Sequence, residues 1–485
     1  MRDGVEEPGD SPPRTSHKVT LAALLLADMV YGFQQISIIP ALPTVQHDLG
    51  ASREWTVWLF SGYLIVASVA PVFLGKLGDR IGQRRVYLGA LLAFMLGSVA
   101  TALSPNIQLV VVFRMVQGVG GVVFPLSFAI ATEILPRDKV HTAIGLLAGG
   151  FGMGSVLGLP IGGAIAQYLS WRWIFGVGAI ALGLGALLVH LTVPRIGPRA
   201  HRRLDTPGGI LFGGAMALLV VGITEGPQRG WLSVYALAAF GLALVAAVAW
   251  WYRETHTAEP LMDLTVFRSR GVLLTNATSA LGGYAVFGVN LTLPFLLENG
   301  GTSDPLSAPG LVVGPLLVGL VLLPRAIGQT VGSPLTGPLA RRLGHGRVFA
   351  SGMVLVSVGA FCLAFFRENL WAVVGELVVL GVGFGTTVSL SGGIVALAAP
   401  AGETGVASAI TSVLRRAGGA VGAQVSIALL AVITLRNGTP APAAFTTAFA
   451  AAAAVALAGA TCAALVFPGR HREPPPDAAM NADPS

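Results

Sequence analysis

The chain has 485 residues, 54% of them hydrophobic and 11% charged, with a mean hydropathy of +0.74. Soluble domains carry roughly 25% charged residues, so a soluble globular fold is excluded. The formal charge of +7 would suit a nucleic acid, but the bases sit at the ends of apolar runs, so no nucleic-acid partner is expected.

A helix crossing hydrocarbon about 30 Å thick needs about 20 mainly apolar residues. Residues 1–18, with Pro12, Pro13 and several acids, form a polar tail without an apolar core, and no cleaved signal peptide is expected. Fourteen spans follow, near 19–39, 55–74, 86–104, 107–131, 141–167, 172–193, 207–225, 232–252, 271–297, 311–339, 348–366, 371–397, 405–434 and 443–467. Their apolar runs are continuous, without the alternation of a barrel strand, so the fold is an all-α polytopic membrane protein. A second tail, from 468, carries Pro474, Pro475 and Pro476 and reads as disordered. With the amino terminus inside, 21 of the 30 Lys and Arg fall in cytoplasmic segments, five in outer loops and four in spans. That asymmetry places both termini in the cytoplasm of a plasma membrane. Arginine outnumbers lysine 27 to 3, which suggests a GC-rich, bacterial source. Cys362 and Cys462 lie inside spans, and neither a disulfide frame nor a metal or cofactor motif is evident.

Charge inside these spans is sparse, and each instance carries information. Span 1 holds Asp28, which can take up a proton or partner a basic loop, followed by Tyr31 and Gln34. Spans 2 and 3 are joined by GKLGDRIGQRR, residues 75–85, a glycine-rich charged segment that reads as a tight loop at one face. Span 4 holds Arg114, Gln117 and Gly118. This arginine is either a fixed charge that tunes a nearby acid or a structural group bonded to carbonyls of span 1. Span 5 presents Gly154, Gly158, Pro160, Gly162 and Gly163, a small-residue face that allows close helix approach. Arg325 in span 10 can attract an anionic group, pair with Asp28 or Glu376, or hold backbone freed by Pro324. Glu376 in span 12 is the second candidate for protonation or cation binding, and Arg415 lies in span 13. Most tryptophans, Trp171 among them, fall at span ends as lipid anchors, whereas Tyr31, Phe33 and Phe128 can face a cavity.

Residues 75–85 match G-x-L-x-D-R-x-G-x-[RK]-[RK] at every fixed position and resemble the signature loop of the major facilitator superfamily of secondary transporters. Arg114, Gln117 and Gly118 match that family's R-x-x-Q-G motif. Gly337, Leu339, Arg341, Arg342, Gly344 and Arg347 echo the loop after span 10, without its aspartate. Charged segments 194–206 and 253–270 bracket an extra helix pair, a 6+2+6 layout similar to the fourteen-span drug/proton antiporter branch. EGPQRGW at 225–231, the run from Glu259 to Arg268, and Arg415 with Gly418 and Gly419 resemble further features of that branch.

The resemblance implies two six-helix bundles, 19–193 and 271–467, around linkers and the extra pair at 194–270. It implies alternating access about a midplane site. Asp28, Arg114 and Glu376 become candidates for proton coupling. Tyr31, Gln34, Gln117, Arg325 and Arg415 become candidates for the substrate pathway. Gly75, Asp79, Arg80, Gly82, Arg84 and Arg85 would form a conformational latch, and the span 5 glycines an antiporter-type helix. Two departures stand out: Gln34 occupies the place, nine residues before Pro43, where the branch usually has an aspartate, and Pro160 stands one residue late. Asp28 lies six residues before Gln34, roughly 240° around the helix. The expected function is proton-coupled export of a hydrophobic, amphipathic or cationic small molecule by a monomer. A facilitator or symporter is the alternative. Without a phosphate-cradling loop or a nucleophile–base pair, an ATP-driven pump, a membrane enzyme and a non-transporting receptor are less favoured.

Overall fold

The computed structural model describes residues 17–194, 205–257, 269–299, 314–367, 370–398, 404–435 and 440–466. Apart from an isolated bridge between Thr434 and Pro440, these residues form no β-pairing. The helices are α1 (His17–Ile36), α2 (Leu42–Asp48), α3 (Arg53–Ile81), α4 (Gln83–Leu103), α5 (Ile107–Gly118), α6 (Val123–Ile134), α7 (Arg137–Tyr168) and α8 (Trp171–Thr192). They continue as α9 (Thr206–Arg229), α10 (Val234–His256), α11 (Arg270–Asn299), α12 (Pro315–Leu343), α13 (His345–Phe365), α14 (Leu370–Ala398), α15 (Thr404–Val432) and α16 (Pro442–Val466).

Sixteen helices make fourteen crossings, because two crossings are broken. A 3-10 turn at Ile39–Ala41 joins α1 to α2, where Pro40 and Pro43 remove backbone donors. Another at Val119–Val122 joins α5 to α6 beside Gly118, Gly120 and Gly121. Thirteen crossings are long and apolar enough to span a bilayer by composition; in α15 the apolar run is interrupted by Arg415, Arg416 and Gln424. We call the face on which α1 begins proximal and the other distal.

The segment 75–85 differs from the expected loop. Helix α3 runs on through Gly75 and Gly78 to Ile81, and α4 starts at Gln83. The reversal rests on Gly82 alone, at φ 102 and ψ 129, a conformation closed to side chains with a Cβ. Gly344 repeats it between α12 and α13 at φ 89 and ψ 143, at the matching place in the second-half echo.

Packing repeats as well. In the first half, α1 lies against α7, α3 against α5, and α4 against α8; in the second, α11 lies against α15, α12 against α14, and α13 against α16. Glycines set these distances: a Cβ at Gly150, Gly154 or Gly158 of α7 would run into Leu25, Met29 or Phe33 of α1, and one at Gly162 into Ser37 just beyond it. Gly418 and Gly422 of α15 meet the Ala280 and Tyr284 carbonyls of α11 in the same way. With no hydrophobic drive between helices in lipid, such close van der Waals fit is what holds the bundles. Leu96, Leu103, Leu184 and Leu191 stay exposed on α4 and α8, as a lipid-facing surface requires.

The halves meet along α3–α15 and α7–α12, and the α7–α12 contacts lie at the distal face. Gly163 abuts Pro315, Gly319 abuts Leu159 and Pro160, and the Leu316 amide donates to Gln167 Oε1 at 3.2 Å. Gln424 Nε2 donates to Ser61 Oγ at 2.6 Å. Helix α9 lies against both halves, with Phe212 and Met216 packed among Val69, Phe73, Val413 and Leu414. Trp171 departs from its expected place as a lipid anchor. It is fully buried, and its Nε1 donates to Asp48 Oδ2 at 2.9 Å, which Arg172 also holds at 2.8 Å.

Candidate functional site

Asp28 is completely buried between α1 and α6. Ser127 Oγ donates to its Oδ2 at 2.6 Å, while Oδ1 has no hydrogen-bond partner. The buried Tyr87 lies within its electrostatic reach, with a hydroxyl that is also unpartnered. A carboxylate so placed has one donor and one vacant oxygen, an arrangement that can accept a proton without breaking a salt bridge.

Arg114 forms a second centre. Its Nε donates to the Leu59 carbonyl of α3 at 3.2 Å and its Nη1 to Gln117 Oε1 at 2.6 Å; Gln117 Nε2 in turn donates to Thr101 Oγ1 at 3.0 Å. The carbonyl it takes is thus on the second crossing, not the first. Its Nη2 is buried without a partner, and its guanidinium stands 4.5 Å from the Tyr63 ring and 5.5 Å from that of Phe175. Tyr63 and Tyr31 are both fully buried with hydroxyls side by side, and neither makes a hydrogen bond of ordinary geometry. Tyr31 also packs on Phe94 and Phe151, at ring separations of 5.9 and 5.6 Å. Gln34 sits nearby on α1, donating from Nε2 to Ser98 Oγ at 3.3 Å with its Oε1 unpartnered. A Cβ at Gly178 would strike its amide.

The second half adds Arg325, buried on α12, whose Nη1 donates to Gln329 Oε1 at 3.2 Å and whose Nε is unpartnered. The pairing with Asp28 or Glu376 entertained from sequence does not form. Arg415 donates to Ser412 Oγ at 3.3 Å. Its neighbour Arg416 reaches across to the Ala67 carbonyl of α3. Among the described residues, no carboxylate pairs with Arg114, Arg325, Arg415 or Arg416. Glu376 stands apart from the seam between the halves. It lines a groove of about 410 Å³ between α13 and α14 with Cys362, Phe366 and Trp371.

On the proximal face, Arg84 donates to the His190 carbonyl at the end of α8, a helix C-terminus that favours a cation. Arg85 Nη1 lies 3.5 Å from the Ile81 carbonyl, and Arg80 is exposed. The Asp79 side chain lies outside the described residues, as does the run from Glu259 to Arg268. Ser127, Tyr63, Tyr87 and Arg416 carry no motif of their own; only the doubled base at 415–416 could have drawn attention to Arg416.

The family model of the Major Facilitator Superfamily matches residues 24–423, and again 273–484. The chain is 30% identical over 418 residues to the "Tetracenomycin C resistance and export protein" of Streptomyces glaucescens, covering 85% of this chain and 76% of that protein. It is 28% identical over 464 residues to the "Multidrug efflux pump LfrA" of Mycolicibacterium smegmatis, covering 93% and 88%. In fold it is similar to a peptide transporter, POT, crystallised with sulfate, at a TM-score of 0.69 and 16% identity, covering 92% of this chain and 94% of that one. A nucleoside transporter, NupG, gives 0.66 and 14%, covering 93% and 100%. Fourteen crossings in two halves of repeated packing, a glycine reversal in each half and matches of this extent lead to one conclusion: the chain belongs to the major facilitator superfamily, a multi-pass membrane transporter.

Proposed function

We propose that the protein exports hydrophobic or amphipathic drugs, or antibiotic-like metabolites, in exchange for protons. The observation that carries the coupling is Asp28: a fully buried carboxylate with one hydroxyl donor and, among the described residues, no ion pair. Proton uptake there would bias the balance between forms open to opposite faces, by as much as the proton's affinity differs between them. The resistance and efflux roles in the relatives' names supply the direction and the class of cargo. Residues 19–193 and 271–467 act as the two rocking bundles, with the α9–α10 pair between them. The charge asymmetry of the sequence supports a bacterial plasma membrane with both termini cytoplasmic. The distal α7–α12 contacts then belong to the outer gate of an inward-facing form. Gly75, Asp79, Arg80, Gly82, Arg84 and Arg85 form the proximal latch, with Arg84 bound to the end of α8.

The test is purified protein in liposomes that enclose a pH-sensitive dye, under an imposed proton gradient, with a panel of hydrophobic drugs. Drug-dependent proton movement that disappears in Asp28→Asn is the expected result. Drug movement with no proton flux would overturn antiport and favour a facilitator.

A further inference from the structure

The mid-membrane charges do not balance. Among the described residues, Arg114, Arg325, Arg415 and Arg416 stand within the crossings without a carboxylate partner, against Asp28, which is engaged with Ser127. Burying unpaired guanidinium groups is costly, and such groups are retained where something negative comes to them. Arg114 Nη2 can only donate and is buried without a partner, while the buried Tyr63 and Tyr31 hydroxyls beside it can each turn to donate and make no hydrogen bond of ordinary geometry; Gln34 Oε1 is an unpartnered acceptor near them. Tyr63 lies within electrostatic reach of both Arg114 and Arg416, so the cluster draws on α1, α3 and α5 of one half and α15 of the other. Around it, Phe60, Phe94, Phe151, Phe175 and Phe287 provide apolar, aromatic surface. A buried guanidinium donor flanked by two hydroxyls that can turn to donate, among aromatic rings, is complementary to an acid on a hydrophobic body.

We propose that the preferred cargo is an amphipathic organic acid, whose ionised carboxylate or acidic phenol docks on Arg114, Tyr63 and Tyr31 with Arg416 closing from the second half. Glu376, a carboxylate that a cationic drug could use, lies apart in the α13–α14 groove, and Asp28, one turn before Tyr31 on α1, is held by Ser127 toward α6. Because it joins residues of both halves, the acid would also hold the seam at its middle. This assignment rests on the export reading for the direction of movement but not for binding, so the two can fail separately.

The experiment uses the purified full chain and three naphthalene fluorophores that share one ring system and differ in a single substituent: carboxylate, carboxamide or trimethylammonium. Binding is read by fluorescence titration and movement in proteoliposomes. The carboxylate is expected to bind at least tenfold more tightly than either analogue. Arg416→Gln and Tyr63→Phe are each expected to weaken the carboxylate about tenfold while changing the amide less than twofold, with Arg416→Lys restoring part of the loss. Equal binding of all three, or preference for trimethylammonium, overturns the proposal, as does an equal loss for acid and amide in the variants. Tight, selective binding of the carboxylate without movement upholds the acid site and overturns export instead.

Discussion

At the scale of single residues, the structure separates groups that look alike in the sequence. Trp171 and Trp173 both flank a predicted span end, yet Trp173 is 52% exposed and Trp171 1%. The difference is a partner 123 positions away, Asp48, to which the Trp171 indole donates. Trp171→Phe keeps the ring but not the donor, and is expected to cost about 0.5–1.5 kcal/mol. A lower unfolding midpoint in detergent would show it, and an unchanged midpoint would reduce the bond to a bystander. Asp28 was legible as a charge inside an apolar run. Its donor Ser127 was not, because a serine on a helix ordinarily satisfies itself on the preceding turn; here the Phe124 carbonyl, 2.8 Å from Ser127 Oγ, competes with Asp28 for its single proton.

At the scale of elements, glycines that are equal by composition are unequal by position. Gly82 carries the α3–α4 reversal, so Gly82→Ala should cost about 1–3 kcal/mol of backbone strain. Gly75 lies inside α3 with open space at its Cβ, so Gly75→Ala should leave thermal stability unchanged or slightly raised. If both variants behave alike, the reversal is not held by Gly82. On α7, a methyl at Gly154 would meet the Met29 carbonyl, whereas one at Gly152 would meet nothing within 4 Å. Gly154→Ala is therefore expected to lose about 1–3 kcal/mol through overpacking, with Gly152→Ala as its neutral counterpart in the same melting assay. Four-residue spacing made this stripe readable. Which helix it faces was not readable, since periodicity gives a face and not a neighbour.

At the scale of the whole molecule, the seam between the halves governs which face is open. The Ser61–Gln424 bond ties α3 to α15 in its distal half, and a bond of this kind is worth about 0.5–1.5 kcal/mol net. Gln424→Ala is expected to shift the balance toward the opposite form by about two- to tenfold. Thiol-labelling of a cysteine placed at Gln167 would report this as faster modification from the distal side, and unchanged labelling would count against the gate. An exported monoanion exchanged for one proton carries two elementary charges inward per cycle, each worth about 2.3 kcal/mol per 100 mV. Carboxylate export should accordingly quicken when a potassium diffusion potential makes the liposome interior, standing for the cytoplasm, negative. Indifference to the potential would contradict that stoichiometry.

The sequence by itself determined the membrane class, the fourteen crossings and the family. Apolar run length is dictated by bilayer thickness, and charged glycine segments such as 75–85 have few places to lie. It also marked Asp28, Arg114, Arg325, Glu376 and Arg415 as charges that must be accounted for inside the membrane. Only the tertiary structure decided how those charges are grouped. Asp28 is held by Ser127, Glu376 is turned to a peripheral groove, Arg114 lies over the Tyr63 ring, and Arg416 reaches from α15 to the Ala67 carbonyl one turn along α3. Grouping depends on which helices pack together and at what rotation. Those are set by contacts between residues far apart in the chain, such as Gly154 with Met29 and Gly418 with Ala280.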